Sequence, residues 1–262
     1  MKYKDFILKV KKRIHYWLAH RKTIETYYMQ VVASTKERTT FSYYGHLFSC
    51  RLPNSSDYGM AKQVLVDGEY KLIVDYFKTN NMEPNIIIDA GANIGVTSIL
   101  LKNIYPKSKI YCIEPDDDNF RLLSENLDEY VKDQTVILYK NGLLGKSGLN
   151  LSVNSNFRDH SNCARQVDLS EDDTTLKSIT IDEIIKNNNI DRIDFLKMDI
   201  EGSERFLIEQ DVDVSFLDKC KCVAIEIHDE YPCRAGIYQL LKAKGYCIVT
   251  HGETTFGFNT KI

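Results

Sequence analysis

From residue 85 onward, apolar runs of four to seven residues alternate with longer amphipathic segments, and this rhythm constrains the fold more than any other feature of the chain. A short run that is apolar nearly throughout fits a strand buried on both faces, and helical crossovers between such strands build a mostly parallel sheet. Strands are read in "NIIIDA", "KIYCIEP", "TVILYKN", "DFLKMDI" and "CVAIEIH". Helices are expected in "GVTSILLKNIY", "DDDNFRLLSENLDEYV", "GSERFLIEQD" and "RAGIYQLLKAKG", the last closing on Lys244 and Gly245, a cation followed by a residue free to take positive φ. The expected class is α/β, with a doubly wound, mostly parallel sheet. The terminal "YCIVTHGETTFGFN" reads as two strands around a turn at residues 251–253, and residues 142–180 read as an insertion carrying extra strands and a polar loop. Ahead of all this, residues 1–80 look helical with one strand-like interruption, "TTFSYYGHLFSCRL", and we place a mainly helical extension in residues 1–60 and the main domain in residues 61–262.

A formal net charge of −3 gives no reason to expect nucleic acid as a partner. No apolar run approaches the ~20 residues of a membrane span, and the N-terminus lacks the apolar core of a signal peptide, so a cytoplasmic protein is expected. The seven cysteines are odd in number and several lie within apolar segments, which argues against a disulfide framework.

In "IIIDAGANIGVTSILL" a buried strand ends at Asp89, a turn holds Gly91, Ala92, Asn93 and Gly95, and a helix begins near Val96. Small residues there let backbone approach a ligand, and the helix start offers unpaired N–H groups. A tight packing turn would use the same glycines. The second feature is Glu114, which ends the next strand about 20 residues on, where a carboxylate can accept from both hydroxyls of a ribose. The glycine spacing is G-x-x-x-G, and no Lys-Ser or Lys-Thr pair follows as in a P-loop. With no phosphate to cradle, S-adenosylmethionine is the expected cofactor.

Together "IIIDAGANIGVTSILL", "IYCIEPDDDNF", "ITIDEIIKNNNIDRIDFLKMDIEGSE" and "VAIEIHD" resemble the FkbM-type family of S-adenosylmethionine-dependent methyltransferases, over roughly residues 63–230. The resemblance implies a seven-stranded sheet with an antiparallel last strand, and O-methylation of a sugar or natural-product hydroxyl. It also implies that Asn141 meets the adenine.

The two-residue period of a strand puts Lys197, Asp199 and Glu201 on one face, and likewise Glu226 and His228. Lys197 and Glu226 are expected to form a buried ion pair between neighbouring strands. Asp199, Glu201 and His228 lie at strand mouths, where open parallel sheets place their catalysis. His228 is the expected general base, oriented by the two carboxylates; Asp199 also borders the cofactor. A divalent ion held by Asp199, Glu201 and His228 is a second arrangement of the same groups, and we do not adopt a metal. Arg158 and His160 are candidate sugar contacts. A non-catalytic adenosine-cofactor scaffold and an NAD or nucleotide-sugar oxidoreductase are the competing readings. Finally, residues 1–22 combine Phe6, Val10, Ile14 and Trp17 at helical spacing with many Lys and Arg, so this stretch either docks on the domain or a second subunit, as in a homodimer, or lies on the inner membrane surface.

Overall fold

A computed structural model describes residues 29–53, 55–154 and 166–262. The basic segment of residues 1–22, and Arg158 and His160, lie outside the described residues. The chain divides into two compact units, Met1–Glu83 and Pro84–Ile262.

In the first unit, β1 (Met29–Ser34), β2 (Arg38–Tyr43) and β3 (His46–Arg51) form an antiparallel sheet in that order. Of the stretch expected as mainly helical, residues 29–51 are therefore largely strand; β2 and β3 account for the aromatic interruption, with Phe41, Tyr43 and Phe48 turned inward. Helices α1 (Asp57–Leu65) and α2 (Lys71–Thr79) follow. The start of α1 is tied to β3 by the buried Asp57, which accepts from the backbone nitrogen, Nε and Nη2 of Arg51.

The second unit is a sheet of seven strands in the order β13-β14-β12-β11-β4-β5-β6. Its strands are β4 (Ile86–Ala90), β5 (Lys109–Ile113), β6 (Val136–Tyr139), β11 (Ile193–Met198), β12 (Cys220–Glu226), β13 (Tyr246–His251) and β14 (Thr254–Asn259). Neighbours from β12 through β6 run parallel, whereas β14 is antiparallel to both β12 and β13. The sheet thus carries the antiparallel strand that the resemblance implies, inserted by a hairpin at Gly252, φ +59°. All six residues of β11 are buried, as a central strand covered on both faces requires.

Helices α3 (Val96–Ile104), α4 (Asp117–Asn126), α5 (Asp128–Lys132), α6 (Ile181–Asn188) and α7 (Arg234–Lys244) connect the strands. Local chemistry sets their ends. Asp116 caps α4 by accepting from the backbone nitrogens of Asp118 and Asn119, and Thr180 caps α6 by accepting from that of Glu183. Gly245, φ +96°, closes α7 in the left-handed conformation. The segment "GSERFLIEQD", expected as an α-helix, forms a 3-10 helix over Ser203–Ile208 instead. The insertion contributes β7 (Gly142–Leu143) paired with β10 (Ser178–Ile179), and β8 (Leu151–Asn154) paired with β9 (Gln166–Leu169). Among the described residues no helix is long and apolar enough to cross a membrane.

Candidate active site

The glycine loop after β4 packs directly against the mouth of β11. Gly91 has φ +74°, and a Cβ there would stand 1.7 Å from the backbone oxygen of Asp199, so no side chain fits. The nitrogens of Gly91 and Ala92 both donate to the carbonyl of Ile113 at the end of β5, folding the loop over that strand. Asn93 also lies in the left-handed region, φ 50°, and its nitrogen donates to Glu114 Oε2 at 2.8 Å. Gly95, φ +90°, then begins α3, with a hypothetical Cβ 2.9 Å from Leu123 Cδ1. Gly91 is thus demanded by close approach to strand backbone, and Gly95 by its positive φ.

Glu114 is buried at the end of β5, where Oε1 accepts from the nitrogen of Asp116 at 3.0 Å while Oε2 holds the loop. Burial raises its carboxyl to about 7, against the opposing pull of the hydrogen bonds from Asp116 and Asn93. Asp89, fully buried, accepts from Ser98 Oγ at 2.7 Å and is raised above the usual carboxylate range by burial, with Lys197 opposing. Asp89 Oδ1 and Asn93 Oδ1 are both buried and accept no hydrogen bond. Asn141, half-buried between β6 and β7, donates one side-chain N–H to the carbonyl of Lys177 at 3.0 Å.

Lys197 was expected to pair with Glu226 on β12. It is instead seen between Asp89 Oδ1 at 3.6 Å and Asp199 Oδ2 at 3.5 Å, and it donates to the carbonyl of Gly91 at 2.6 Å. Asp89 is its register partner on β4, so the cation joins the glycine loop to the mouth of β11. Beyond it, Glu201 takes φ 50° and Gly202 φ +89°, a sharp turn that costs roughly 1–2 kcal/mol for the non-glycine residue. Such strain gathers at working sites.

The turn brings carboxylates around the buried His228. Its Nδ1 is 2.9 Å from Glu204 Oε1, and its Nε2 is 3.1 Å from Glu201 Oε2 and 3.7 Å from Glu226 Oε1. Burial by itself lowers the imidazole, but Glu201 and Glu204 outweigh it and push the group up to about 11. In its charged form the ring donates from both nitrogens and the adjacent carboxylates are the groups able to accept a proton, whereas the neutral ring keeps one nitrogen free to accept or to bind. Asp199, Glu226 and His228 present ligand atoms all within 4.8 Å of one another. Beside Asp199 the second carboxylate of this trio is Glu226, while Glu201, expected there from strand spacing, contacts the same Nε2 at 3.1 Å.

Sequence reasoning missed Glu204 and the position of Glu226. Glu204 is completely buried in the 3-10 helix and accepts from the backbone nitrogens of Gly202 and His228. Its available signal was a carboxylate separated only by Arg205 from the apolar "FLI" at residues 206–208.

Residues 89–248 match the methyltransferase FkbM domain. The chain belongs to that family. Among relatives, it is 28% identical over 146 residues to the hexuronic acid methyltransferase AglP of Haloferax volcanii, a match covering 56% of this chain and 57% of that one. It is 27% identical over 191 residues to methyltransferase sdnD of Sordaria araneosa, covering 62% and 73%. In structure it is similar to a precorrin-6y C5,15-methyltransferase of Geobacter metallireducens, with TM-score 0.43 and 11% identity over 72% of this chain and 88% of that one. The stretch matched in AglP is little more than half of that protein.

An FkbM methyltransferase fold implies S-adenosylmethionine as cofactor, and the loop fits it. Asn93 Oδ1 is a buried acceptor without a hydrogen-bond partner, Glu114 is a buried carboxylate beside the loop, and Gly91 keeps the approach free of side chains. A hard cation would suit the Asp199, Glu226 and His228 trio as one imidazole with two carboxylates.

Proposed function

We propose that the protein is an S-adenosylmethionine-dependent O-methyltransferase acting on a hydroxyl of a glycan or natural-product acceptor. The observation that carries the reading is the junction of the glycine loop with the carboxylate-ringed mouths of β11 and β12, joined by Lys197. The relative named as a hexuronic acid methyltransferase supports a sugar acceptor. When bound, the cofactor supplies a methyl group on a sulfonium, an electrophile that needs an in-line nucleophile.

The residues divide the remaining work. Glu114 and Asn93 hold the adenosine end beside the loop, and Asn141 presents its side-chain amide to the base. Lys197 neutralises Asp89 and Asp199 and keeps the loop against β11, which fixes the distance between the two halves of the site. The acceptor hydroxyl, with a pKa near the ~15.7 of water, must lose its proton as the new bond forms. Glu201 is placed to accept that proton, its carboxylate set by the turn and by Nε2 of His228 at 3.1 Å. Glu204 holds the ring so that Nε2 faces Glu201 and Glu226.

The convergence of Asp199, Glu226 and His228 favours a second reading, in which these three hold a divalent cation whose chemistry would be to lower the pKa of the acceptor hydroxyl. Calorimetric binding of S-adenosylhomocysteine, followed by methyl transfer to a panel of sugars with and without chelator, tests both. Absence of S-adenosylhomocysteine binding would remove the first reading, and full turnover in chelator the second.

A further inference from the structure

Next to the carboxylate cluster is a cation that none of the chemistry above uses. Arg205 follows Glu204 in the 3-10 helix, and its guanidinium lies over the ring of Tyr231, 4.1 Å from the centroid. Tyr231 sits in the turn after β12, its nitrogen donating to the carbonyl of His228 at 3.2 Å. The pair therefore bridges the turns that carry Glu201 and His228. The ring is fixed on its other sides as well. A Cβ on Gly202 would come within 2.4 Å of Tyr231 Cε2, and the buried Gln166 donates from Nε2 to the tyrosine hydroxyl at 2.6 Å. Arg205 Nη1 is buried and donates to nothing.

A buried guanidinium N–H without an acceptor is costly unless a ligand supplies one. The stacked plane leaves the in-plane N–H groups as its remaining donors, and these match a planar oxyanion in pairs. Gln166, Gly202 and Tyr231 hold that plane rigidly, so little order is lost on binding. The acceptor end of the site lies over β11 and β12, since the glycine loop occupies the mouth of β4. Resting on the methyltransferase reading, we propose that Arg205, stacked on Tyr231, is the specificity-determining residue for an acidic acceptor, binding a carboxylate carried near the hydroxyl to be methylated. The ring of carboxylates around His228 sharpens this role. Without Arg205, an anionic acceptor would meet Glu201 and Glu226 with only the shared His228 between them.

The test uses the whole protein saturated with S-adenosylhomocysteine, and saturation-transfer NMR against methyl glucuronide, methyl glucoside, glucose 6-phosphate and their galacto counterparts. Labelled-cofactor turnover on the same panel separates KM from kcat. Expected are a preference of wild type for the uronides over the neutral glycosides of about 10- to 100-fold, the worth of one charge-assisted hydrogen bond, and loss of that preference in Arg205→Gln with cofactor affinity unchanged. Arg205→Lys, which keeps the charge without the fork, should retain part of it. A preference for the sugar phosphate over both would assign the same platform to phosphate and overturn the carboxylate. Equal response, or none, to acidic and neutral sugars in wild type that does bind S-adenosylhomocysteine overturns the proposal outright, as does an Arg205→Gln protein that discriminates like wild type. Failure of wild type to bind S-adenosylhomocysteine at all would instead strike the underlying reading.

Discussion

A single oxygen of Glu204, Oε1, accepts from both the backbone nitrogen of His228 at 2.7 Å and its ring Nδ1 at 2.9 Å. The carboxylate belongs to the turn after β11 and the imidazole to the mouth of β12, so one buried group sets both the position and the ring orientation of its partner. A merely structural acid would not need to contact the ring. Glu204→Gln should cost about 1.5–3 kcal/mol, the range for hydrogen bonds to a charged group. It should lower kcat far more than it changes cofactor affinity, and methyl-transfer kinetics beside calorimetry would check this. Equal losses in both would make Glu204 a general packing residue.

Glu114 is expected to set the pH dependence of cofactor binding. Its carboxyl is raised from 4.5 to about 7 in the protein by burial, and only the ionised form can accept from two ribose hydroxyls. A raised acid contributes stability that is present below the ordinary value and lost as pH rises through about 7, so burial here works against the ionised form in the free protein. The cofactor's hydroxyls would reverse that preference. S-adenosylhomocysteine affinity should therefore strengthen as pH rises through about 7 and level off above it, and Glu114→Gln should bind weakly with no such rise. Calorimetry at several pH values decides; a flat wild-type profile would reject the ribose role.

The glycine loop and the strands behind it were legible because both depend on local chemistry: a run of apolar residues, a positive φ, a carboxylate at a strand end. Lys197 shows where that legibility stops. Strand period placed it on the face with Asp199, but the choice between Glu226 on β12 and Asp89 on β4 depends on sheet order and register, which no local pattern carries. Glu204 was hidden for a related reason. Its partner is 24 residues away in sequence, and only a 3-10 turn after Gly202 aims it there. The first-unit sheet was half legible, since β2 and β3 alternate visibly while β1, "MQVVAS", is largely exposed and has no buried face to reveal.

Replacing Lys197 with Met should be severely destabilising. Its Nζ is the cation beside fully buried Asp89 and also holds the Gly91 carbonyl, so the substitution strands a buried carboxylate in an apolar strand. Removing one partner of a buried pair costs about 3–5 kcal/mol. Denaturant unfolding should show that loss, and the companion Lys197→Met with Asp89→Leu should recover much of it while still failing to bind cofactor. No recovery in the double variant would mean that the bond to Gly91, rather than the charge pair, carries the effect.

Asn93 allows a prediction with opposite signs for stability and binding. Its backbone occupies the left-handed region at φ 50°, which asparagine tolerates and glycine tolerates better. Its Oδ1 is buried and unmet, a state that costs about 1–3 kcal/mol in the free protein. Asn93→Gly removes that cost and relieves the backbone, against roughly 0.5–1 kcal/mol of added chain entropy in the unfolded state. The free protein should therefore melt at the wild-type temperature or slightly above it. If Oδ1 is kept to meet a donor on the cofactor, the same variant should bind S-adenosylhomocysteine more weakly by about five- to tenfold, the worth of one ordinary hydrogen bond. Thermal melts with and without S-adenosylhomocysteine read both signs at once: the variant should show the smaller ligand-induced rise despite equal stability alone. A variant that is destabilised yet binds as wild type would place Asn93 in the architecture of the loop and not in recognition.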